Sequence, residues 1–164
     1  VTAARDSAVP SRGTADATGR CGIFTLGYER RSADEVRELL IANGVSILVD
    51  VRLTCRSRRA GLSKTALSAT LATAGIGYEH RSALGNPRDN RDGIRAGDPA
   101  SSDAFRRRLA TGDSQAAIRE LLAWSRQRRV ALFCYERDAA TCHRRFICEA
   151  LLHINPGLLM THLP

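Results

Sequence analysis

The sequence predicts an α/β fold, a single-domain three-layer sandwich with a mostly parallel sheet of about five strands and helices on both faces. Three observations predict it. A length of 164 residues suits one domain able to bury a core without staples. Strand-like and helix-like segments alternate along the chain. The strand-like segments are short continuous apolar runs rather than alternating ones, as expected of strands buried on both faces.

Residues 1–20, rich in Ala, Thr, Ser, Arg, Gly and Pro, carry no apolar period and read as a flexible arm. The domain proper is assigned to 21–164. Ile23-Phe-Thr-Leu26 reads as the first strand, stopped by Gly27. Ser32-Ala-Asp-Glu35 forms a capping box, in which Ser32 and Glu35 satisfy each other's free backbone N–H groups. The helix it opens turns Val36, Leu39 and Leu40 inward and stops at Gly44. Ser46-Ile-Leu-Val-Asp50-Val is a second buried strand, followed by a basic loop holding Arg52, Arg56, Arg58 and Arg59. Ser63 caps the next helix, with Leu67, Leu71 and Ala74 inward and Gly75 at its end.

Gly77-Tyr-Glu-His80 is a weaker third strand. Residues 81–101 show no period and are expected to form a structureless functional lid or a disordered connection. Helices are expected at about 102–110 and 113–127, the second burying Ile118, Leu121 and Leu122. Val130 to Cys134 is the strongest strand signal. A final helix is expected over 139–152 with Asp138 as its cap, and Leu158 to Leu163 as a closing strand.

Composition narrows the class. No apolar stretch approaches a membrane span, and no basic-then-apolar leader opens the chain, so a soluble protein is expected. Five cysteines, an odd number without a CxxC pair, argue against a disulfide framework and for reduced thiols in the cytoplasm. Their spacing matches no zinc-finger or ribbon pattern, so no metal is assigned and the cofactor stays unknown. The net charge is +8, and Lys64 is the only lysine. Arginine's planar fork suits phosphate and carboxylate, so the expected partner is an anionic small molecule or a nucleic acid, although coding bias toward arginine would leave the same excess.

Right-handed crossovers place the strand ends on one edge of the sheet. That edge would gather Tyr28 and Glu29, Asp50 and Arg52, His80, Cys134 with Glu136, and His162. Helix phasing turns His143 toward the same rim, with Cys142 and Arg144 on its flanks and Arg145 in solvent. His143, Glu136, Asp50 and Glu29 are thus candidate acid–base groups. Arg52, Arg58, Arg144, Tyr28 and Cys142 are candidates for holding an anion. Each has a plainer reading: His143 as a buried imidazole on a backbone carbonyl, the carboxylates as ion-pair partners of Arg52 and Arg144, and Cys134 as packing. A Cys-x5-Arg phosphate cradle would need Arg at 140 or 148, where Ala140 and Cys148 stand.

Several motifs resemble the DUF488 family, a domain of unknown function. They are Thr25-Leu-Gly-Tyr-Glu29, Leu48-Val-Asp-Val-Arg52, Ser57-Arg58, Gly61-Leu-Ser-Lys64, Gly75-Ile-Gly-Tyr78, Leu84-Gly85, and Cys134-Tyr-Glu136 with Cys142-His143-Arg144. The resemblance spans about 23–163 and implies an α/β fold with a shared site. Ala139 stands where the family often has Pro, and Leu53-Thr-Cys55 replaces a small-polar, Pro and aromatic stretch.

The residues point first to a hydrolase or group transferase acting on a phosphate-bearing or nucleotide-like substrate. The alternatives are a non-catalytic nucleic-acid-binding module and a thiol-based redox sensor centred on Cys142, which full burial of that sulfur would sink. Hydride transfer is disfavoured, since no GxGxxG follows a strand.

Overall fold

The computed structural model describes residues 21–164. The proposed arm, 1–20, lies outside the described residues. Five strands form one sheet: β1 (Gly22–Gly27), β2 (Ile47–Asp50), β3 (Gly77–His80), β4 (Arg129–Cys134) and β5 (Met160–His162). Their order is β3-β2-β4-β1-β5, and every neighbouring pair is parallel. The sheet is therefore wholly parallel, and all five carboxyl ends share one edge. Register aligns Asp50 with Phe133, Gly27 with Cys134 and Thr25 with His162.

Six helices cover the sheet: α1 (Ala33–Ala42), α2 (Lys64–Ala72), α3 (Arg91–Ala96), α4 (Pro99–Leu109), α5 (Gly112–Ser125) and α6 (Arg144–Ile154). The period-2 geometry of the strands splits their apolar residues between two cores. Leu26, Leu48, Ala131 and Phe133 pack with Val36 and Leu40 of α1 and with Leu67 and Leu71 of α2. Ile23, Val49, Val130 and Leu132 pack on the other face with residues of α3 to α6, including Ile94, Phe105, Ile118 and Ile147. β4, central in the sheet, is buried from Val130 to Cys134. Among the described residues, no helix is long and apolar enough to cross a membrane.

The capping box at Ser32 and Glu35 is present in both directions. Ser63 begins α2, but its hydroxyl bonds Ser57 rather than the helix N–H groups. Three expectations are corrected. Residues 81–101 are not structureless: 3₁₀ turns at Ser82–Leu84 and Arg88–Asn90 lead into α3 and the start of α4. The chain carries the necessary punctuation, since Gly97 ends α3 in the left-handed region (φ 72°) and Asp98 caps α4 ahead of Pro99. At six residues, α3 is too short for apolar periodicity to reveal it.

The last helix is also divided. Asp138 caps a 3₁₀ turn, Ala139–Thr141, by accepting from Ala140 N–H, and α6 begins only at Arg144 with His143 as its N-cap residue. Finally, β5 is confined to Met160–His162, paired to β1 alone.

Candidate functional site

Two side-chain clusters form along the carboxyl edge, and the predicted site residues divide between them. The first centres on Asp50 and Arg52, beyond the end of β2. Arg52 donates from Nε and Nη2 to the two Asp50 oxygens at 2.8 and 2.5 Å, and from Nη1 to the Tyr28 hydroxyl and the Leu62 carbonyl. The Tyr78 hydroxyl donates to Asp50 at 2.6 Å, and Arg52 N–H completes the carboxylate's partners. Burial would lower the Arg52 pKa, but bonding to Asp50 overrides it and raises it above the ordinary guanidinium value. Burial and the Asp50 bond likewise push the Tyr78 phenol up. Arg52 also lies 5.1 Å from the Tyr28 and Phe133 ring centroids. Every guanidinium nitrogen of Arg52 is thus engaged within the protein.

The second cluster lies at the end of β4. Cys134, Glu136, Cys142 and His143 are all buried, and their ligand atoms lie within 4.8 Å of one another. The pleat explains half of it: Cys134 and Glu136 are two apart and share a side. The 3₁₀ turn supplies the rest by delivering Cys142 and His143 back over the strand end. Cys134 Sγ lies 3.4 Å from Glu136 Oε2 and 3.7 Å from His143 Nδ1, and Cys142 Sγ lies 3.8 Å from the same nitrogen. His143 Nε2 sits 3.0 Å from the Val51 carbonyl, which only accepts. Nε2 therefore carries a proton, and Nδ1 is the ring nitrogen that faces the two thiols. Phe105 closes the imidazole from the side, with ring centroids 5.3 Å apart.

Arg144, fully buried, ties this cluster together. Its Nε donates to Cys142 Sγ at 3.3 Å, its Nη2 donates to the Glu136 carbonyl, and its Nη1 has no hydrogen-bond partner among the described residues. Burial alone would push the Cys142 thiol up. Bonds to Cys134 and His143 and the charge of Arg144 outweigh it and hold the thiol well below its ordinary range. Cys134 is pushed the other way, first by its bond to Cys142 and then by burial. The shared contact thus drives the two thiols apart in acidity, Cys142 downward and Cys134 upward. Full burial of Cys142 removes the access that an oxidant-sensing thiol requires.

The remaining candidates stand apart. Glu29 accepts from Arg137 N–H and lines an open cleft of about 970 Å³ with Arg30, Arg137, Arg145 and His162. Arg58 is exposed on the loop between β2 and α2. Tyr28 belongs to the Asp50–Arg52 cluster. His80 bonds the Arg52 carbonyl and pairs with Cys55, and His162 pairs with Thr25. Arg145 is half-buried over Phe146 rather than in solvent as helix phase predicts.

Two participants escaped the sequence reading. Cys134, read as packing, is a full member of the cluster, and its two-residue spacing from Glu136 was the available signal. Arg95 of α3 donates to Glu136 Oε1 at 3.1 Å and so bridges the segment 81–101 to the site. Gly27 permits this edge to close: a Cβ there would sit 1.9 Å from the Glu136 carbonyl oxygen.

Comparison with curated proteins and with solved structures gives no match. The sequence model described as "Domain of unknown function DUF488" matches residues 32–151, which include both clusters except Tyr28. The chain belongs to the DUF488 family.

Proposed function

We propose that the chain is an enzyme, a hydrolase or group transferase, acting on a phosphate-bearing or nucleotide-like substrate under α3 at the carboxyl edge of the sheet. The carrying observation is the convergence of Cys134, Glu136, Cys142 and His143 within 4.8 Å, with one arginine held from inside and another from the covering helix. Structural cores do not need four such groups around one point.

In this reading Glu136 is the acid–base group that a substrate meets first. Its outer oxygen is held only by Arg95, a half-exposed side chain on a helix of six residues. His143 is its acid–base partner beneath it, and the buried Cys142 and Arg144 set the charge around the pair. Arg95 exchanges its single hydrogen bond to Glu136 for the substrate's phosphate, which a guanidinium binds through two N–H groups. Asp50, Arg52 and Tyr28 act from behind. They fix the end of β2, whose next residue, Val51, orients His143. Glu29 and Arg58 lie outside this reacting set.

The test is a thermal-stabilisation screen of nucleotides and phosphosugars against the wild type and Arg95→Ala. A true ligand at about 100 times its Kd stabilises by roughly 2.7 kcal/mol. The expected result is stabilisation of the wild type and loss of the effect in Arg95→Ala. Failure of every anionic ligand, or equal shifts in both chains, overturns the reading.

Exposed Arg56, Arg58 and Arg59 on the β2–α2 loop favour a second reading, a non-catalytic nucleic-acid contact. Its signature is affinity for DNA or RNA that falls steeply with salt and weakens in Arg58→Ala.

A further inference from the structure

We propose that Cys134 Sγ, Cys142 Sγ, His143 Nδ1 and a Glu136 oxygen bind one divalent ion of the zinc class. The proposal goes beyond the enzymatic reading and stands without it, since the same ion can fasten the β4 end to the 3₁₀ turn with no substrate present.

The distances come first. Zinc holds sulfur at about 2.3 Å and nitrogen or oxygen at about 2.0–2.2 Å, so tetrahedral ligands lie about 3.3–3.8 Å from each other. The contacts of 3.4, 3.7 and 3.8 Å among these donors fall in that interval, and the longest separation in the set is bounded by 4.8 Å. The other three separations fall within the same bound, and closing them requires only side-chain adjustment.

The second argument is the surroundings of the ligands. A metal-bound histidine typically donates its other N–H to a carbonyl or carboxylate, which fixes the tautomer. His143 Nε2 meets the Val51 carbonyl at 3.0 Å, leaving Nδ1 for the ion. Arg144 Nε donates to Cys142 Sγ, as a bond to a metal thiolate would.

Charge gives the third argument. Two thiolates and a carboxylate around a doubly charged cation leave one negative charge, and the buried Arg144 guanidinium cancels it. A neutral centre is what a low-dielectric site tolerates. The donor set also selects the ion: thiolate and imidazole suit zinc and its softer neighbours, whereas magnesium and calcium take oxygen. Binding forms two metal–sulfur bonds, one metal–nitrogen bond and one metal–oxygen bond. The ion sheds its water ligands, each ligand thiol that is protonated releases its proton to solvent, and no electron is transferred.

A second thiol–imidazole contact provides an internal control. Cys55 and His80 lie 3.8 Å apart but belong to no group of three or more possible ligands among the described residues. The full chain, reduced and stripped with a chelator, would be titrated with zinc chloride and with cobalt chloride, measuring bound metal, proton release and the cobalt absorption spectrum. The expected result is one ion per chain and the intense sulfur-to-cobalt absorption of a tetrahedral thiolate site. Cys142→Ser should weaken binding at least 100-fold, taking about 10–100-fold for a supporting partner as the lower bound. Cys55→Ser should bind as the wild type does. If Cys142→Ser fails to fold, the spectrum and stoichiometry of the wild type decide alone. Absence of binding by the reduced wild type, a spectrum without sulfur bands, or loss of binding in Cys55→Ser instead overturns the proposal. Metal binding by a chain that no anionic ligand stabilises would overturn only the enzymatic reading; stabilisation by an anionic ligand in a chain that binds no metal would overturn only this one.

Discussion

At the residue scale, the same side-chain types serve opposite ends in the two clusters. Asp50 and Arg52 satisfy each other completely, and their value lies in not being disturbed. Asp50→Ala would strand a buried guanidinium and should cost about 3–5 kcal/mol in chemical denaturation. Tyr78→Phe, which removes one hydrogen bond to that carboxylate, should cost nearer 1 kcal/mol. The thiols give a pH prediction. Burial pushes Cys148 up to about 12, against an unfolded thiol near 8.5. Its contribution is therefore intact below about pH 8.5 and lost between about 8.5 and 12, as the unfolded chain ionises first. Between about pH 8.5 and 12 the unfolding free energy should fall more steeply in the wild type than in Cys148→Ala, by about 1.4 kcal/mol per pH unit. Parallel pH curves would contradict that burial effect. The gathering of Glu136, Cys142 and His143 was legible because they follow closely on the end of β4, not through helix phase, since Cys142 and His143 precede α6. Cys134 was not, because a cysteine ending an apolar run looks like core until its neighbours are placed.

At the element scale, β4, β1 and the alternation of strands and helices were readable because each leaves a continuous apolar run or a cap. The segment 81–101 was misread because α3 offers one buried residue, Ile94, and no period. Its role rests on tertiary contacts instead: Arg95 holds Glu136, and Arg108 of α4 donates to the Gly85 carbonyl. Arg95→Ala should change global stability by less than about 1 kcal/mol, as for a half-exposed ion pair. It should nevertheless speed amide exchange across α3, because local opening tracks local contacts. Unchanged exchange there would show that α3 is held by packing alone. β1 meets the site through backbone rather than side chain. Gly27→Ala would drive a Cβ into the Glu136 carbonyl and displace residues 134–136, with an expected loss of about 1–3 kcal/mol and of metal binding.

For the whole molecule, a wholly parallel sheet explains why chemistry gathers on one edge. Every crossover returns the chain to the same side, so five strand ends meet there, and the central strand carries the densest set of reactive groups. The +8 charge belongs to the surface and governs how anions approach, not how the core folds. We propose the Cys134–Glu136–Cys142–His143 cluster as the functional centre. Its most direct test is a crystal structure of the reduced chain grown with zinc, with the ion located by its anomalous signal. The account predicts one strong peak within about 2.0–2.3 Å of the four donors, with Val51 still holding His143. A peak only at exposed side chains, or a disulfide joining Cys134 to Cys142, would contradict it.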